Sequence, residues 1–183
     1  MDIVKQSRDL MYSQTQINKA PSWRLIEIAI HKGKELAKRY NENEQLILAS
    51  LYLAHTVFDQ VWGGEVQKSH PKLSAEFSKE YLEKWKVSDE EQKIILNSIE
   101  AHHNHINAET KIAEIVKNAE CFKFVTVEGS LIWLHELGFR QFDYDEAKKR
   151  VIKKMEQKRE LLTLEDCINE AELNCKKIYE LFQ

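Results

Sequence analysis

Apolar residues along this chain recur at intervals of three and four rather than two, a spacing that gathers them on one side of a helix and predicts α-structure throughout. One amphipathic helix opens after Pro21, with Ser22 as its cap, and runs through Trp23, Ile26, Ala29, Ile30, Leu36, Ala37 and Tyr40 until Asn41 and Asn43 interrupt it. The next, from about Glu44 to Phe58, carries Leu46, Ile47, Leu48, Ala49, Leu51, Tyr52, Leu53 and Ala54. It is apolar nearly all round and is expected to be central and buried. A third helix is expected to begin where Ser69 or His70 precedes Pro71, because proline suits a first helical turn, and to continue to Trp85. Ser88-Asp89-Glu90-Glu91 reads as a capping box for a fourth, which passes through Ile94, Ile95 and Ile99 and ends near His102-His103-Asn104-His105. Lys111 to Leu137 reads as one further helix with Ile112, Ile115, Val116, Ala119, Phe122 and Val125 inside, and Phe142 onward predicts two more. Trp62-Gly63-Gly64 is the loop with the greatest backbone freedom.

Composition narrows this to a single all-α bundle. The 183 residues suit one hydrophobic core, here spanning 1–183, with residues 1–20 expected as a loosely attached N-terminal segment. Only 5 Gly and 2 Pro leave few breaks, so the helices should be long. A formal net charge of -3 predicts no bulk attraction to nucleic acid or anionic membrane. The run Lys148, Lys149, Arg150, Lys153, Lys154, Lys158, Arg159 reads as the solvated face of a helix built on Val151, Ile152 and Met155. Cys121, Cys167 and Cys175 form no CxxC pair and are expected to be reduced. The N-terminal residues lack the apolar run of a leader, and no stretch approaches the roughly 18 apolar residues that span a bilayer, so a cytoplasmic location is expected. A homodimer is compatible with a small helical protein, although no heptad seam argues for one.

The candidate chemistry is a set of histidines at helix ends. In chain order stand His55, Asp59, His70, the His102-His103 pair and Glu120, all residue types that ligate metals. His55 and Asp59, four positions apart, would share a face and chelate one ion if their helix persisted one more turn. Imidazole and carboxylate without cysteine suit Mn, Fe, Ni or Zn better than a structural cysteine-rich zinc site. Glu120 lies among core residues, where an acid needs a partner such as a metal or a histidine. His31, flanked by Glu27 and Glu35, reads as a wet-face residue, and His105 and His135 have no supporting motif.

Four segments carry a family resemblance. LASLYLAHTVFD (48–59) resembles the buried AALLHD helix of the HD superfamily of metal-dependent phosphohydrolases. HPKLSAEFSKEYLEKWKVSDEEQKIILNSIEAHH (70–103) resembles the next part of those proteins, a His, a small-residue helix and then a helix ending in His. IVKNAECFKF (115–124) sits where they carry an Ala-Asp that completes the metal site. FDYDEAKKRVIKKMEQKRELLT is similar to the final helices of small stand-alone bacterial members, so the likeness runs from about Trp23 to the end. It implies an HD-like helical domain with a divalent ion (Mn, Fe, Ni, Zn or Mg) in the middle of the bundle. The implied reaction is hydrolysis of a phosphoester or phosphoanhydride, with phosphorylated small molecules and nucleotides as candidate substrates. On this pattern His55, His70, His102 or His103, and Glu120 would hold the ion, and Asp59 would be a further ligand or general base. The chain departs from the pattern at the defining His-Asp pair, which is His55-Thr56 here, and at the leading histidine, whose place falls near Leu25 or Ile26. Thr56 lacks the negative charge of that Asp and should weaken metal affinity. A catalytically inactive HD-fold module that binds a ligand or partner protein is therefore the alternative expectation.

Overall fold

The computed structural model describes residues 2–18, 20–58, 65–103 and 106–182. Among them are nine helices and no strand: α1 (Ile3–Asn18), α2 (Trp23–Tyr40), α3 (Glu44–Leu53), α4 (Glu65–Lys84), α5 (Asp89–Ala101), α6 (Lys111–Phe122), α7 (Val127–Phe139), α8 (Tyr144–Arg159) and α9 (Glu165–Phe182), with a 3-10 turn at Lys123–Val125 between α6 and α7. No helix among the described residues is long and apolar enough to cross a membrane. The all-α bundle expected from the apolar spacing is what forms.

Polar side chains set most of the helix starts by satisfying N–H groups that have no partner within the helix. Asn43 accepts from the N–H groups of Gln45 and Leu46, Thr110 from Ala113, and Asp143 from Glu146. Ser88 and Glu91 form both halves of the capping box. Asn41, in the left-handed conformation, ends α2 where the pattern of asparagines predicts.

Every residue of α3 from Leu46 to Leu53 is buried, and α1, α2, α5 and α6 pack around it. A side chain at Gly33 of α2 would meet Leu51 Cδ1 at 2.5 Å, so the glycine is what lets α2 lie this close to α3. A second, smaller core of Leu25, Trp133, Leu137, Ala147 and Val151 joins α2 to α7 and α8.

Four boundaries differ from the sequence reading. Residues 3–18, expected to be loosely attached, form α1, and its Met11 is fully buried against the main core. α3 stops at Leu53 rather than Phe58, because the Thr56 backbone N–H and hydroxyl both donate to the Leu53 carbonyl and close a turn. α4 begins at Glu65, ahead of Pro71; a proline near a helix N-terminus removes one bond from its loosest end without stopping it. The single helix expected from Lys111 to Leu137 is broken at Lys123–Thr126, where Thr126 caps α7 by accepting from the Gly129 N–H. The Trp62-Gly63-Gly64 loop lies outside the described residues.

That break depends on Gly129, where an added Cβ would lie 1.7 Å from the Lys123 carbonyl oxygen. Backbone on both sides of the clash cannot step aside as a side chain would. Gly129→Ala is expected to destabilise the fold by about 3 kcal/mol, the upper range for overpacking. Urea unfolding of the purified variant measures it, and a change below about 0.5 kcal/mol would mean the break is not held there.

Candidate metal centre

Several helix ends converge on one buried point. His55 sits in the turn after α3, His70 within α4, and His102 at the C-terminal cap of α5; Glu120 lies in the last turn of α6 and Lys123 opens the 3-10 turn. All five side chains are buried. The breaks at Leu53 and Phe122 therefore place His55 and Lys123 where continuous helices would have carried them elsewhere.

His55, His70 and His102 each present a ring nitrogen, and these nitrogens lie within 4.8 Å of one another. His102 Nδ1 faces the Ile99 carbonyl, which assigns the proton to Nδ1 and leaves a lone pair on Nε2. That lone pair accepts from His70 Nε2 at 3.1 Å. On the other flank His55 Nε2 donates to Glu120 Oε2 at 2.7 Å, and Lys123 Nζ donates to the same oxygen at 2.5 Å. His55 Nδ1 and Glu120 Oε1 are buried with no hydrogen-bond partner among the described residues.

Burial shapes the charge of the group. Desolvation, reinforced by the Lys123 charge and opposed by Glu120, lowers the His55 pKa to about 3. Burial also pushes His102 and His103 well below the ordinary histidine value, aided by His55 for the first and by His102 and Lys158 for the second. For Glu120 burial acts the other way, but Lys123 and His55 outweigh it and hold the carboxyl well below the usual range. The result is neutral imidazoles beside an ionised carboxylate, the protonation state in which these residues ligate metals.

Three buried imidazoles this close can hold a metal ion. The donor chemistry fits one: imidazoles of which burial keeps His55 and His102 unprotonated, the second aimed inward by a backbone carbonyl, and an adjacent carboxylate with an unpartnered oxygen.

The structure divides the predicted residues. His55, His70 and His102 come together with Glu120 alongside. His103 takes a different position: its Nδ1 accepts from Lys158 Nζ at 2.6 Å, and its ring lies 4.9 Å from that of His70. Asp59 lies outside the described residues, and α3, the helix expected to carry it beside His55, ends at Leu53. The Thr56 hydroxyl donates to the Leu53 carbonyl and lies 3.4 Å from Ser78 Oγ. His31 and His135 are exposed, as expected, and His105 lies outside the described residues.

Beside the histidines lies a cavity of about 730 Å³. His55, His70, His103, Lys123, Lys154 and Lys158 are among its polar lining residues. Leu25, Phe124 and Trp133, from the second core, are among its apolar ones. The sequence reading set phosphate binding by the basic run of α8 below a solvated face, whereas Lys158 is buried and lines this cavity with Lys154. The signal was available: Lys158 follows Val151 and Met155 at the helical spacing of seven and three, on the buried side of α8. In comparisons with known proteins, no family model, no curated protein and no solved structure matches the chain.

Proposed function

We propose that the chain is a divergent HD-type phosphohydrolase that uses a divalent ion to cleave a phosphoester or phosphoanhydride. The observation that carries the reading is the group of three buried histidines, two of them (His55 and His102) kept neutral by burial, beside ionised Glu120 and adjoining a cavity lined by lysines. His55, His70 and His102 would hold the ion, with Glu120 supplying the negative charge. A divalent ion contributes Lewis acidity and activation of water near neutral pH. The Ile99 carbonyl keeps the His102 proton on Nδ1 and so its Nε2 available. Lys154 and Lys158 draw the anionic group into the cavity, and the apolar lining excludes water around it. Asp59, four positions after His55, is the proposed proton acceptor for the attacking water.

One observation favours a second reading, a catalytically silent HD-fold module that binds a ligand or partner. Lys123 Nζ, 2.5 Å from Glu120 Oε2 and 3.2 Å from His55 Nε2, already places a positive charge on the carboxylate that an ion would use.

Elemental analysis of protein purified without chelator or metal-affinity tag separates the two. About one divalent ion per chain is expected, lost in His55→Ala, together with hydrolysis of a panel of phosphomonoesters and nucleotides in added Mn or Ni. On this reading Asp59→Asn is expected to slow turnover about 100-fold or more while the metal content is unchanged. Metal-free protein with no hydrolysis across the panel would establish the silent module instead.

A further inference from the structure

Lys154 and Lys158 stand one helical turn apart on α8, and both line the cavity. Three basic residues nearby have carboxylate partners: Lys123 pairs with Glu120, Lys148 with Asp145 and Arg150 with Glu146. Lys154 and Lys158 form no ion pair among the described residues. Lys158 is only 4% exposed, and its Nζ donates to a histidine, His103 Nδ1, at 2.6 Å. Lys154 Nζ lies 5.2 Å from the centre of the Phe124 ring. Glu136 and Glu160 line the same cavity without pairing to either lysine.

An ammonium group removed from water without a counter-charge is destabilising by several kcal/mol, and a fold built for stability alone would place a hydrophobic residue there. The strain is visible in both groups. Burial, with the charges of Lys158 and Lys123, lowers Lys154 to about 7, and burial lowers Lys158 as well. An entering dianion would reverse both effects. The cavity volume, about 730 Å³, far exceeds one phosphate and falls in the range of sites for organic ligands. Its apolar lining by Leu25, Phe124 and Trp133 suits a carbon skeleton rather than a second charge.

We infer that Lys154 and Lys158, with His103 beside them, form an anion subsite for the phosphate of a phosphorylated small molecule whose apolar body lies against Leu25, Phe124 and Trp133. The inference shares a phosphorylated substrate with the proposed function but requires no metal. Binding in the presence of chelator therefore tests it separately.

Calorimetric titration of the full chain in excess chelator, with phenyl phosphate and with inorganic phosphate, tests both halves. Phenyl phosphate should bind about ten-fold or more tightly than inorganic phosphate, since burying a phenyl ring is worth more than the roughly 1.4 kcal/mol that a factor of ten requires. Lys154→Met and Lys158→Met should each weaken binding about ten-fold or more and raise the thermal midpoint. That combination marks a functional charge, because a structural lysine would lower the midpoint when removed. Equal affinity for the two ligands would overturn the apolar half. No binding by the wild type, unchanged binding in both variants, or a lowered midpoint in both would overturn the subsite.

Discussion

As pH falls from about 6.5 toward 3, the metal-free protein is expected to lose stability steeply, because its core histidines resist protonation that the unfolded chain accepts. His55 titrates at about 3 in the folded state against an ordinary value of 6.5, and burial pushes His102 and His103 well below that value too. A base whose folded pKa is lowered binds fewer protons folded than unfolded throughout the window between the two values, so stability rises with pH there and is lost as pH drops. Each such proton changes the unfolding free energy by about 1.4 kcal/mol per pH unit, so two to three give about 3 to 4 kcal/mol per unit. Glu120, held well below its ordinary value of 4.5, adds loss of the same sign once the unfolded carboxyl begins to protonate. Lys154 acts elsewhere: with a folded value of about 7 against 10.5, it makes stability rise with pH only above about 7. A domain of this size holds about 5 to 15 kcal/mol in total, so a descent of roughly one to five pH units is enough to exhaust it. Thermal melts in chelator at successive pH values are the measurement, with a fall of about 10 °C per pH unit expected below 6.5. A midpoint unchanged between pH 7 and 5 would show that these rings meet solvent and are not the dry group described.

The same buried group shows which features are legible along a chain and which are not. α3 could be read because its residues are apolar on every side, and only a helix surrounded by others satisfies that. The capping box at Ser88 and the need of Glu120 for a partner are equally local: each follows from the chemistry of a few neighbouring residues. The partner that Glu120 finds, however, is His55 together with Lys123, and Lys123 reaches it only because the helix breaks before Thr126. That break was hidden, since apolar spacing continues through Val125 and Val127 and the deciding contact is a backbone clash at Gly129. α1 was hidden differently: Ile3, Val4, Leu10 and Met11 are diluted by polar residues, and its Ser7 and Thr15 are buried by neighbours rather than by their own character. α8 shows a third obstacle. Seven basic residues read as one wet face, whereas Lys158 belongs with Val151 and Met155 on the dry one.

Replacing Lys123 by methionine is expected to destabilise the metal-free protein by about 3 to 5 kcal/mol, the usual consequence of leaving a buried charge without its partner. The substitution keeps most of the side-chain volume, so the loss does not come from a cavity. It comes from Glu120, which would retain the His55 hydrogen bond at 2.7 Å but lose the Lys123 bond at 2.5 Å and the charge that does most to hold its carboxyl ionised. Two further measurements identify the cause. Glu120→Gln in the Lys123→Met background should recover most of the loss, because the double variant has neither charge, and the pairwise coupling can be read from the cycle. Zinc or manganese should stabilise Lys123→Met more than the wild type, since an ion held by His55, His70, His102 and Glu120 no longer competes with an internal ammonium for the carboxylate. Equal shifts in the two proteins would mean that metal, if it binds, does so away from Glu120. A variant of unchanged stability in chelator would mean that solvent already reaches the carboxylate, and the charge balance attributed to this centre would fail with it.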